Sequence, residues 1–150
     1  MRYPTVLHCK YAGAVIMAVL LASCATVDRP IPLPEGQWEM TTSSFNDSGR
    51  LPGLPRATLQ IRDDRLSAQS GCNTANATVS SVDGRMVVSP LATTRRACPE
   101  PAGAFEGRYF KLLRGQPYFR IENGQLIIAG GDDSARFRRV AEKPAAKPQP

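Results

Sequence analysis

The sequence predicts an α+β fold in which a mainly antiparallel, strongly curved β-sheet of six to eight strands packs against one α-helix. Three observations predict it. Between residues 38 and 140, apolar residues mostly recur at every second position, the period of a half-buried strand. Asp83-Gly84 and Asn123-Gly124 each separate two such runs by two residues that tolerate positive φ, which is the strongest short signal for a hairpin. One segment alone, Ala102 to Leu113, changes to the 3.6-residue period of an amphipathic helix.

The elements follow in order. Trp38–Thr42 reads as a first strand, and Ser43–Pro55, with Asn46-Asp47, Gly49, Gly53 and two prolines, as a loop. Thr58–Arg62 alternates, with Leu59 and Ile61 on one face, and Asp63-Asp64 turns the chain into Leu66–Ser70. Thr78–Val82 and Arg85–Ser89 flank the Asp83-Gly84 turn. In the helix, Ala102, Phe105, Tyr109, Leu112 and Leu113 form the apolar stripe; Pro101 suits the first turn and Gly115 the C-terminal cap. Pro117–Glu122 and Gln125–Ala129 pair about Asn123-Gly124. Gly130–Asp133 turns the chain into Ala135–Val140, with Phe137 inward and arginines on the alternate positions. Residues 37–141 thus make one domain, large enough for one small core but small enough to gain from a covalent staple.

What precedes the domain reads as an address. Arg2 and Lys10 are followed by the apolar run Tyr11–Ala22, too short for the roughly 20 residues of a membrane span but suited to a signal-peptide core. Leu21-Ala22-Ser23-Cys24 then resembles the lipobox of bacterial lipoproteins, which implies cleavage after Ser23 and a thioether from Cys24 to diacylglycerol. The alternative is an ordinary secretory signal with a chance cysteine. Residues 1–23 are therefore expected to be a removed leader, and 24–36 the lipidated cysteine and a proline-rich tether. Residues 142–150 (EKPAAKPQP) are expected to form a disordered tail. Ala25 stands where an aspartate would resemble an inner-membrane retention signal, so the expected location is the outer membrane of a Gram-negative envelope, facing the periplasm. The membrane itself is then one partner, held through the lipid on Cys24.

Composition narrows the activity. The chain is 42% apolar and 21% charged, within the globular range. Its one histidine, His8, lies in the expected leader, so the mature chain has no Ser-His-Asp or Cys-His mechanism and no histidine-ligated zinc. Of the 19 basic residues, Arg2 and Lys10 also leave with the leader, so 17 face 13 acids, a modest net charge of +4. The basic residues are scattered and lack interleaved aromatics, which argues against nucleic acid as a partner. Asp63-Asp64 and Asp132-Asp133 adjoin turns and point to opposite faces, a poor arrangement for acid–base work or a metal. No catalytic residue, cofactor or metal is expected.

Gly71-Cys72-Asn73 follows directly on the Leu66–Ser70 strand, and Thr94-Arg95-Arg96-Ala97-Cys98 ends the next sheet segment. Here the chain resembles the META domain family, also called HslJ-like after a bacterial heat-shock lipoprotein. The family pattern opens with a Trp-x-Leu strand, matched by Trp38-Glu39-Met40. It continues with a Gly-Cys-Asn turn and a Thr-Arg-Met-Ala-Cys segment, here with Arg96 in place of methionine. A helix with Glu-x-x-aromatic-x-x-x-Leu follows, matched by Glu106, Tyr109 and Leu113, and then a hairpin, Ile121–Ala129, with Phe137 beyond. The resemblance spans residues 37–140. It implies the curved sheet and helix, and an association with heat shock and antimicrobial tolerance, but no agreed chemistry.

The candidate site lies in these two motifs. Cys72 and Cys98 are the cysteines that remain once Cys9 is removed and Cys24 acylated, and an even pair in an oxidising compartment usually bonds. Closing a loop of about 27 residues would stabilise the fold by roughly 3–4 kcal/mol. The alternatives are two reduced buried thiols or a redox couple. Asn73 fits a turn; alternatively Asn73, Thr94 and Arg95 form a ligand-facing cluster. Glu106 reads as a helix-surface or capping carboxylate, its pairing with Arg108 or Arg114 left open, and Trp38 as core. The expected function is a non-enzymatic, stress- or antimicrobial-tolerance-related binding module that contacts an envelope protein or a small ligand. The alternative is an inhibitor of a secreted hydrolase or protease, with Ser43–Pro55 as the plug.

Overall fold

The structure is a computed structural model and describes residues 31–141. The expected leader, Cys24, the expected tether up to Pro30 and the expected tail from Glu142 lie outside the described residues. The strands are β1 (Gly36–Ser43), β2 (Thr58–Arg62), β3 (Arg65–Gln69), β4 (Thr74–Val82), β5 (Arg85–Val88), β6 (Ala92–Thr93), β7 (Tyr118–Glu122), β8 (Gln125–Gly130) and β9 (Asp133–Val140). The helix, α1, spans Ala102–Arg114.

All pairings are antiparallel, in the order β3-β2-β1-β9-β8-β7-β5-β4-β6, and β4 also pairs with β3. That last pairing closes the curved sheet into an eight-stranded barrel, with β6 as a short ninth strand on β4. Closure removes the exposed edges that an open sheet would leave. Leu59, Ile61, Leu66, Ala68, Leu126, Ile128 and Phe137 project inward and are at most 1% exposed. A bulge between Met40 and Thr42 shifts the phase of β1, so that Trp38, Met40 and then Ser43 face inward.

The hairpin signals hold. Asp83, Gly84, Asn123 and Gly124 all have positive φ, as a type I′ turn requires at both central residues. The turn read as Gly130–Asp133 is tighter, since Gly130 and Asp133 are already paired. β4 begins at Thr74, four residues before the expected start, and β6 is a short strand beyond those expected. Both rest on Ala, Thr and Asn, which have little intrinsic strand preference, and both form because β3 and β4 offer them a ladder.

The helix lies over one end of the barrel. Its residue Tyr109 is fully buried, stacks at 5.7–6.4 Å against Phe105, Phe110 and Phe137, and donates its hydroxyl to Thr58 O at 2.9 Å. Gly115 is the C-cap residue, but its φ is −72°, and the left-handed position falls on Gln116. Residues 31–35, read from the sequence as tether, pack on the opposite end: Trp38 Nε1 donates to Pro34 O at 2.8 Å, and Pro34 is buried. The expected loop is also packed. Phe45 stacks on Phe105 at 5.4 Å and Leu51 is buried. Asn46 Oδ1 accepts bonds from Ser48 N and Arg50 N. Gly49 passes so close to β1 that a Cβ there would lie 2.4 Å from Met40 O.

Candidate functional site

The end of β3, the turn into β4 and the start of the helix meet at one asparagine. The β3–β4 connection needs Gly71, whose φ is +95° and whose Cβ would lie 2.8 Å from Pro55 O. Ser70 then folds back, its Oγ accepting Cys72 N and Asn73 N at 3.2 and 3.0 Å. This turn aims Asn73 inward, where it is 5% exposed.

The Asn73 carboxamide acts as a rung between two segments that are 23 residues apart. Its Oδ1 accepts Arg96 N at 2.8 Å, and its Nδ2 donates to Arg96 O at 3.0 Å. The second lone pair takes Thr94 Oγ1 at 2.8 Å and the second N–H reaches Glu106 Oε1 at 3.0 Å. An asparagine side chain has two donors and two lone pairs, so it is saturated. Asn73, a ligand-facing candidate by sequence, therefore has its polar atoms engaged inside the chain. Among the three candidates, Thr94 and Arg95 are the exposed ones.

Glu106 is half-buried rather than free on the helix surface. It points to the turn rather than to Arg108 or Arg114. Its Oε2 accepts Ser70 Oγ at 2.5 Å and Asn73 N at 3.0 Å. Arg108 pairs with Asp133 instead, on the far side of the helix N-terminal half. Every buried polar side-chain atom among the described residues finds a partner.

Cys72 and Cys98 are joined in a disulfide, with 6.1 Å between Cα atoms and 26 residues between them in sequence. Asn73 Nδ2 lies 3.1 Å from Cys98 Sγ. The two sulfurs and a Glu106 oxygen fall within 4.8 Å of one another. Sulfurs bonded to each other present no thiolate to a cation, so in this oxidised form the trio is a packed staple.

The outcome is a rigid strip. Thr94 to Ala97 lies exposed on the barrel wall, its backbone pinned by Asn73 and its end by the disulfide. Arg95 and Arg96 project from it, and neither forms an ion pair among the described residues. Beside it, Leu51, Pro52, Leu54, Pro99 and Pro101 line an apolar cleft of about 310 Å³ that reaches Cys72. No local pattern in the sequence marks this cleft, because it forms only when the proline-rich loop folds back over the turn.

A META domain signature matches residues 32–143. The chain belongs to the META domain family. No curated protein sequence matches it. Among solved structures, an NMR structure of a protein from Burkholderia xenovorans is 23% identical with a TM-score of 0.58, over 72% of this chain and 83% of that one. A second NMR structure is 13% identical with a TM-score of 0.60, over 70% of this chain and 89% of that one. At such identities the likeness is one of fold. In this META domain the segment Ser43–Pro55 is anchored on the barrel by Phe45 and Leu51, while Asp47, Ser48, Pro52, Gly53 and Pro55 stay exposed.

Proposed function

We propose that this META domain is a non-catalytic binding module, held by a lipid on Cys24 at the periplasmic face of the outer membrane, where it serves stress or antimicrobial tolerance. One observation carries the binding reading: two arginines without ion-pair partners among the described residues stand on a strip whose backbone is fixed from within. Fixing the backbone beforehand reduces the ordering cost on association. Arginine forks suit carboxylates and phosphates, and the neighbouring apolar cleft suits a hydrophobic side chain. The favoured partner is therefore an acidic patch of an envelope protein or an anionic, partly apolar small ligand. Neither nucleic acid nor a cofactor is part of this reading. The location rests on the Leu21–Cys24 motif and on Ala25.

The test is cross-linking of the native lipoprotein in intact cells, with and without heat, followed by capture and mass spectrometry. The controls are Cys24→Ser and the pair Arg95→Glu and Arg96→Glu. The expected outcome is a set of envelope proteins, enriched after heat and lost on charge reversal at an unchanged melting temperature. Capture that survives charge reversal would sink the proposed surface. A single abundant hydrolase would replace the module reading with inhibition.

A further inference from the structure

Antiparallel pairing gives the barrel two unlike ends. At one end lie the helix, the loop 44–57 and the disulfide. At the other lie the Asp63-Asp64, Asp83-Gly84 and Asn123-Gly124 turns. The chain enters β1 and leaves β9 at this second end, where Gln37 faces Val140 in register.

The apolar surface is distributed unevenly between them. Four large apolar side chains are exposed among the described residues: Ile31 (51%), Val82 (51%), Tyr118 (52%) and Ile121 (53%). Tyr118 is covered on one face by Arg85, whose guanidinium carbon lies 3.6 Å from the ring centre. The other three gather at the end that holds both chain termini. Ile31 lies over Gly84, and its carbonyl accepts Ser81 Oγ at 2.5 Å. Val82 precedes that same turn. Ile121 lines a cleft of about 520 Å³ with Leu33, Trp38 and Gly124, beyond which the hairpin of β7 and β8 protrudes. Acids (Asp63, Asp64, Asp83) and bases (Arg62, Arg65, Arg139) both surround this end, so no single-sign field keeps it from a lipid surface.

The length of the preceding chain supplies the occupant. Six residues, 25–30, separate the lipidated Cys24 from Ile31, so seven Cα-to-Cα steps join them. Fully extended, they span at most about 25 Å. A compact domain of this size has a radius of gyration of about 13 Å, so such a leash is shorter than the domain is wide. The barrel cannot turn over to present its helix end to the bilayer.

We infer that the terminus-bearing end is a phospholipid-contact surface. Ile31, Val82 and Ile121 enter the interfacial layer of the bilayer that holds Cys24, and Arg95 and Arg96 face away from it. This rests on the proposed acylation of Cys24. Sequestered apolar side chains also slow the exchange of the amides around them, which gives the inference a direct readout.

The experiment compares hydrogen–deuterium exchange of the acylated full chain in nanodiscs of phosphatidylethanolamine and phosphatidylglycerol with that of a Cys24→Ser chain in solution. A third sample carries Ile31→Ser, Val82→Ser and Ile121→Ser on the acylated chain. The expected result is about tenfold slower exchange at 31–35, 82–84 and 121–124 in the acylated chain, with 94–97 unchanged. The triple variant should lose that protection while remaining on the disc, with β1 and β9 still slow as proof of folding. A disc-bound chain without protection, or with protection at 94–97, overturns the contact surface and leaves acylation standing. An unmodified Cys24 by intact mass overturns both.

Discussion

Asn73 shows how one buried carboxamide can hold two distant segments in register. Replacing it with alanine would strand Arg96 N, Arg96 O and Thr94 Oγ1 and remove one donor from Glu106. Arg96 is exposed, so water can reach part of what is left, and the loss should be about 2–3 kcal/mol rather than the sum of four bonds. Chemical denaturation of Asn73→Ala with the disulfide intact should show it; a loss under about 0.5 kcal/mol would mean that the rung contributes little. The sequence marked Asn73 as a turn residue but could not show its partner, because the pairing depends on β4 and the 94–98 segment meeting in space. Glu106 was legible in the sequence as a partly buried acid. It stands four residues after Ala102 and three before Tyr109, on the buried stripe of the helix. A carboxylate on an apolar stripe is a signal that polar partners await it inside.

At the scale of elements, the helix is fastened to the barrel by Tyr109 as well as by its apolar face. The phenol is buried at 0% exposure, and burial drives its ionisation well above the ordinary value of 10.0. The unfolded chain ionises near 10 while the folded chain keeps the proton. The stabilisation is therefore fully present below pH 10 and declines above it, by about 1.4 kcal/mol per pH unit for this one group. Tyr109→Phe should cost about 1 kcal/mol at pH 7, since Thr58 O loses its donor, and should flatten the alkaline decline by that one-proton slope. Urea titrations at pH 8 and pH 11 decide it: parallel losses in both proteins would mean that Tyr109 ionises freely. The helix and the two Asp-Gly and Asn-Gly hairpins were legible because their periods and turn residues are local. The early start of β4 and the whole of β6 were not, because alanine, threonine and asparagine take strand geometry there only when a neighbouring ladder is present.

Over the whole molecule, barrel closure is uneven. β1 and β9 pair along most of their length, whereas β5 meets β7 through the single register pair of Arg85 with Tyr118, flanked by Met86 N to Pro117 O and Phe119 N to Gly84 O. Beyond that pair the wall is completed by the helix and by the strip from β6 to Cys98, held by Asn73, Glu106 and the disulfide. A curved sheet was readable from strand patterns. Its closure was not, because one rung and a helix leave no periodic trace across the gap from Val88 to Tyr118. The disulfide should therefore act on this seam before it acts on the rest. Reduction should lower global stability by about 3–4 kcal/mol on the chain-entropy estimate for a 26-residue separation. Under native conditions, Met86 and Phe119 amides should then exchange sooner than those of β1 and β9, as a local opening rather than global unfolding. Exchange of the Cys72→Ala and Cys98→Ala double variant should reproduce that order. Uniform acceleration across all strands would instead make the barrel one cooperative unit, with the seam as strong as the wall it closes.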